Sequence, residues 1–238
     1  MSMSNGFLSQ EEIDSLLNGS DDSSSNTGSN DNSVNLLSDI EKDLLGEIGN
    51  ISMGSASTAL YQIINQKVNI TTPVVSITTL KEIKETFETP TVVLDVEYTS
   101  GIIGRNILII KTEDAAVIAN LMMGGDGIVE NHELSEIEIS AVQEAMNQMI
   151  GSAATSMATM FSREVNISPP ISKIWSNSED ALSSEIPEDQ AIVRVNFRMT
   201  IGNLVDSNIM QILPVETAKK IVSIMIGKED EDSNVSEQ

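Results

Sequence analysis

The sequence predicts an α+β domain with internal pseudo-two-fold symmetry and a mainly antiparallel sheet. Three observations predict it. First, residues 37–73 align without a gap on residues 134–170. Leu37, Ser38, Ile40, Glu41, Glu47, Asn50, Gly54, Ser55, Ala56, Thr58, Val68, Asn69, Ile70 and Pro73 each recur 97 positions later. Second, "EDAAVIANLMMG" at 113–124 resembles "ETAKKIVSIMIG" at 216–227, so the duplication reaches the end of the domain, with a small insertion in the second half. Third, each half reads as a long helix, then consecutive β-rich stretches, then a shorter helix, which favours an antiparallel sheet over βαβ units. Two copies are too few for a solenoid. The domain is expected at 36–227, with halves at about 36–130 and 131–227.

The elements follow in order. At 7–19, "FLSQEEIDSLLNG" opens with a capping box, Ser9 with Glu12, and stops at Gly19. Leu8 and Ile13 have the spacing of a hydrophobic staple, and Ile13, Leu16 and Leu17 form one apolar stripe. A helix this short is marginal alone. Residues 20–35, rich in Ser, Asn, Asp and Gly, read as a disordered linker. A short amphipathic helix on a polar tether suits docking into another protein's groove. It is read as a partner-binding peptide over 1–19, with Leu8, Ile13, Leu16 and Leu17 as its contacts; a helix that folds back on its own domain is the alternative.

The long helices start at Ser38 and Ser135, each capped in a box with a Glu three residues on; Leu134 and Ile139 add a staple in the second copy. "PVVSITTL", "TVVLDVEYTS" and "IIGRNILIIKT" supply strands in the first half. "ISKIW", "AIVRVNFRMT" and "VDSNIMQIL" correspond in the second. "KEIKETFETP" and "NSEDALSSEIPEDQ" read as loops or irregular crossings. Met122, Met123, Met157, Met160, Met210 and Met225 read as core filler. Residues 228–238 form an acidic tail.

Composition excludes several chemistries. There is no cysteine, hence no disulfide, thiolate zinc site or cysteine nucleophile. His132 is the single histidine, and no Gly-x-Ser-x-Gly elbow accompanies it. A net charge of −23 argues against phosphate-backbone binding. No signal peptide and no bilayer-length apolar run are evident, so a cytoplasmic protein without membrane insertion is expected.

What remains is a stripe on each long helix. Glu47 and Asn50 lie about 60° apart around the helix, with Asp43 between them in angle. Ser140, Glu144 and Asn147 repeat the arrangement. Asn gains little inside a helix, so its recurrence at one place in both halves asks for a reason. Incomplete divergence or a buried polar neighbour would each supply one. So would chemistry: a carboxamide both donates to and accepts from a water, and can fix its line of attack. A Glu suits gripping a cation on a partner.

The pattern Asp/Ser-x3-Glu-x2-Asn-x22-Pro occurs twice, as Asp43, Glu47, Asn50, Pro73 and as Ser140, Glu144, Asn147, Pro170. It resembles the signature of the CheC/FliY/CheX phosphatase family of chemotaxis proteins. "LSQEEIDSLL" looks like the N-terminal peptide of FliM- and FliY-type switch proteins, which binds phosphorylated CheY. The combination is most like the FliY branch, without its FliN-like C-terminal domain. The resemblance implies a CheC-like fold and hydrolysis of the aspartyl phosphate of a CheY-type response regulator. It implies that Asn50 and Asn147 orient the attacking water, that Glu47 and Glu144 anchor the regulator, and that Asp43, Ser140, Pro73 and Pro170 are structural. No cofactor of the chain's own is implied, since Mg²⁺ sits on the regulator. Flagellar switch proteins (FliM, FliN, FliG) or a CheD-like protein are implied as further partners, and the flagellar C-ring as a location. The alternative is a non-catalytic switch adaptor that binds phosphorylated CheY. Gly46 and Gly49 are expected to ease a partner's approach to the first site; Gln143 and Met146 replace them in the second.

Overall fold

Two capping boxes set the frame. The Ser38 amide donates to the Glu41 carboxylate at 2.7 Å and the Glu41 amide to the Ser38 hydroxyl at 3.3 Å. Ser135 and Glu138 repeat this at 2.7 and 3.4 Å. The bonds favour the ionised carboxylates. The Ser38 amide, then its hydroxyl, lowers the Glu41 pKa; the Ser135 hydroxyl, then its amide, lowers that of Glu138. The helices so started each run 26 residues and end with a non-glycine residue in the left-handed region, Asn65 and Ser162.

The computed structural model describes residues 36–86, 90–176 and 180–228. The expected peptide at 1–19, the linker at 20–35 and all but the first residue of the acidic tail lie outside them. In chain order the elements are α1 (Asp39–Ile64), β1 (Val68–Ile70), β2 (Val74–Thr79), α2 (Leu80–Thr86), β3 (Thr91–Ser100), β4 (Gly104–Lys111), α3 (Thr112–Met122), α4 (Glu136–Phe161), β5 (Asn166–Ile167), β6 (Ile171–Trp175), β7 (Ala191–Ile201), β8 (Val205–Pro214) and α5 (Val215–Met225). Helix α2 corrects the sequence reading, which left "KEIKET" irregular. Leu80 and Ile83 are buried three residues apart on it, and the Thr79 hydroxyl accepts from the Glu82 amide at its start. No described helix is long and apolar enough to cross a membrane.

The strands form one antiparallel sheet in the order β1–β7–β8–β4–β3–β5, with β2 also on β7 and β6 also on β3. The halves therefore exchange their edges. The first half's β1 and β2 pair with β7 of the second, and the second half's β5 and β6 pair with β3 of the first. The pseudo-symmetry holds in register: Val74 lies opposite Asn196, and Ile171 opposite Asp95.

Alternation along the strands gives the sheet two apolar faces. One carries Leu94, Val96, Tyr98, Val195, Phe197 and Met199 against the long helices and is the main core. The other carries Val93, Ile107, Ile109 and Ile192 under α2 and the irregular segment containing Leu182 and Ile186. Helix α1 buries Leu45, Ile48, Met53, Ala56, Leu60 and Ile64 on one stripe, and α4 buries Val142, Ala145, Met149, Ile150 and Met157. At pseudo-equivalent positions the two helices touch: the Ser152 hydroxyl donates to the Ser55 carbonyl at 3.1 Å. Met157 is core as expected, but Met123 and Met225 correct the sequence reading: both lie at the ends of short helices and are exposed.

Candidate functional site

Burying one stripe of each long helix leaves its opposite side to solvent, and the motif residues fall there. Glu47 and Glu144 are exposed, and Asn50 and Asn147 half-buried. Each Asn is one turn from its Glu and follows a residue on the inner side of its helix, Gly49 beside Phe197 and the buried Met146. Asp43, Glu47, Asn50 and Asn147 have no hydrogen-bond or ion-pair partner among the described residues. An unpaired polar group that water can reach is available to bind something else.

The first site sits on a groove of about 450 Å³ between α1 and the start of β2. Asp43, Gly46 and Glu47 line one wall, Thr72, Pro73 and Val74 the other, and Asp39 and Lys42 close one end. Lys42 is held by Asp39 at 3.1 Å, which leaves Asp43 and Glu47 as free carboxylates. Pro73 thereby lines the same groove as the Glu47 carboxylate.

The second site differs at four points. The Ser140 hydroxyl donates to the Glu136 carbonyl at 2.9 Å, so it is occupied within the helix. Glu144 accepts from the Gln148 amide at 2.8 Å. Gln143, in the place of Gly46, accepts from the Ser172 hydroxyl at 2.8 Å and ties α4 to β6. Pro170 is buried, whereas Pro73 is only half-buried.

Of the two glycines of the first site, Gly46 lines the groove, whereas Gly49 faces the sheet. A Cβ on Gly49 would lie 3.1 Å from the Phe197 ring and 3.5 Å from Pro73, and one on Gly46 would lie 3.8 Å from Val75. The missing side chain at Gly49 lets the Phe197 ring approach α1. At the second site Met146 takes the place of Gly49, and Val96 on β3 that of Phe197; both are fully buried. Gly with Phe on one side is thus matched by Met with Val on the other, a trade of volume across the helix–sheet interface. Sequence reading missed Phe197, since nothing local couples it to Gly49. It also missed Gln148, although an i,i+4 spacing from Glu144 was visible.

The peptide contacts Leu8, Ile13, Leu16 and Leu17 lie outside the described residues.

The sequence profile of the CheC-like family matches residues 40–77 and 137–174, which run from each motif helix through its proline into the strand beyond. The chain is 46% identical over 241 residues to the flagellar motor switch phosphatase FliY of Bacillus subtilis (strain 168), covering 99% of this chain and 62% of that protein. It thus spans about 62% of that relative's length. The crystal structure of Thermotoga maritima FliY superposes with a TM-score of 0.75 at 42% identity, covering 81% of this chain and 99% of that one. The FliM middle domain from H. pylori superposes at 0.63 with 17% identity, covering 79% of this chain and all of that one, a likeness of fold alone. Duplicated motif, exchanged-edge sheet and extended identity agree, and the chain belongs to the CheC-like family, where its likeness is to FliY.

Proposed function

We propose that this chain is a phosphatase for the aspartyl phosphate of a CheY-type response regulator. The observation that carries the reading is the pair of half-exposed carboxamides, Asn50 and Asn147, each without a partner among the described residues and each one turn from an exposed glutamate. The name of the Bacillus subtilis relative, a flagellar motor switch phosphatase, supports it.

In this reading Asn50 or Asn147 enters the regulator's active site. Its amide oxygen accepts from the attacking water while its N–H donates, which fixes the water in line with phosphorus. Glu47 or Glu144 pairs with a lysine on the regulator and sets the depth of entry. Mg²⁺ and the acyl phosphate belong to the substrate. The peptide at 1–19, through Leu8, Ile13, Leu16 and Leu17, holds the same regulator near the sites at an effective concentration on the order of millimolar. The setting is a flagellar switch, with switch proteins such as FliM, FliN and FliG or a CheD-like protein as further partners.

The test is phosphate release from a phosphorylated regulator by the wild type, Asn50→Ala, Asn147→Ala and the double variant, with regulator binding measured alongside. The proposal requires that the wild type accelerate release and that the double variant lose the acceleration while still binding. An adaptor would bind and accelerate nothing. Deleting residues 1–20 should raise KM more than it lowers kcat.

A further inference from the structure

Each half exposes two β-branched apolar side chains beside its glutamate. Ile40 and Ile137 are both 73% exposed, Val74 is 68% and Ile171 73%. The members of each pair stand 97 positions apart, so the exposure recurs by symmetry. Folding gives no reason for it. Ile40 and Ile137 are second residues of their helices, where acidic side chains are favoured over apolar ones. Val74 and Ile171 open edge strands, where apolar exposure invites unwanted pairing.

Their placement is shared as well. Ile40 is two turns before Glu47, within about 20° around the helix and about 10 Å along it. Val74 faces Glu47 across the groove. Ile137 and Glu144 repeat the helical spacing, and Ile171 follows Pro170 as Val74 follows Pro73. Each glutamate therefore lies between an apolar residue along its own helix and another at the sheet edge.

We propose that these residues are the apolar anchors of the docking surface: Ile40 with Val74 at the first site, Ile137 with Ile171 at the second. This rests on the proposed function and names the face that the response regulator presents. The occupant follows from charge. Asp43 and Glu47 are free carboxylates in a chain of net charge −23, so the complementary surface carries a cationic side chain ringed by apolar contacts. Packing around the ring excludes water from the ion pair and strengthens it. A second copy of this chain would set like charges against each other. Ile40, Val74, Ile137 and Ile171 position the regulator and take no part in the chemistry.

The experiment uses the full chain with all four residues changed to Asp, and a second variant with all four changed to Thr. Thr keeps the branched shape that suits a strand, and Asp suits the start of a helix. Binding is measured to a CheY-type regulator loaded with beryllofluoride, which mimics the phosphoryl group without turning over. Turnover is measured with the same regulator phosphorylated by acetyl phosphate. Ile103→Asp, an exposed change in the turn between β3 and β4, is the control. The expected result is about tenfold weaker binding and tenfold higher KM for the Asp variant, a smaller change in the same direction for Thr, kcat within about twofold of wild type, and an unaffected control.

Unchanged affinity in both variants would overturn the proposal. So would a fall in kcat with KM intact, or a wild type that dimerises in sedimentation and becomes monomeric on substitution. Beryllofluoride separates the two readings. A wild type that binds, releases no phosphate and loses binding in the variants would sink the phosphatase and leave the anchors standing. A wild type that hydrolyses while the variants match it would do the reverse. A wild type that binds no regulator ends both.

Discussion

The two motif sites share what points outward and differ in what lies beneath. Both present an exposed Glu and a half-buried Asn in one helical register. Under the first, Gly49 makes room for Phe197; at the equivalent places of the second stand a buried Met146 and a smaller, buried Val96. The first glutamate is free in an acidic groove, whereas the second is braced by Gln148. The comparison teaches that after a duplication the interior can change by compensating pairs, while the side chains that meet a partner have no neighbour to compensate for them.

The hardest blow to this comparison is chemical. Asn50→Ala with Asn147→Ala should slow phosphate release by about 100-fold or more, the scale of losing one positioned hydrogen-bonding group. The single variants then divide the activity between the halves. Equal single losses would show that the differences beneath the sites are silent in catalysis.

The next test is structural. Gly49→Met alone overpacks against Phe197 and should lower stability by about 1–3 kcal/mol in chemical denaturation. Adding Phe197→Val copies the second half's solution and should restore most of that. Additive effects in this cycle would mean that the volume trade is not the link between the two positions.

Glu41→Gln and Glu138→Gln probe what the halves have in common. Each should lower stability at neutral pH by an equal amount, below about 1 kcal/mol because both boxes are solvent-exposed. The folded pKa of each carboxylate is lowered. Its contribution is therefore full above the unfolded value, near 4.3, and disappears as pH falls through the folded value. Thermal melts of wild type and variants should converge in acid.

The smallest effect expected is at Gln148. In an Asn50→Ala background, Gln148→Ala frees Glu144 and should lower KM by about twofold, the worth of one exposed i,i+4 pair. A raised KM would mean that the brace presents the carboxylate instead of competing for it.

Much of this was legible in the sequence because it is local. Capping boxes, the 3.6-residue stripes of α1 and α4, and the repeated Glu–Asn pair all lie within a few turns of chain. The exchange of edge strands was not legible, because pairing with β7 or β3 depends on which face of β1, β2, β5 and β6 fits the core, not on their neighbours. Helix α2 escaped because seven residues carry too little periodicity to outweigh a polar composition. Gly49 was misread for a related reason. A vacancy in a sequence does not say which way it faces, and only Phe197 arriving from the far half shows that Gly49 opens inward.

The exchanged edges have a consequence for synthesis. Strands β1 and β2 are complete by Thr79, yet their partner β7 begins at Ala191. At ribosomal speeds of about 5–20 residues per second, they wait roughly 6–22 s for it. During that interval the first half holds an unpaired edge that an identical nascent chain on a neighbouring ribosome can satisfy. Crowded polysomes therefore favour entangled pairs, and faster elongation or sparser ribosome loading should raise the yield of correctly closed monomer.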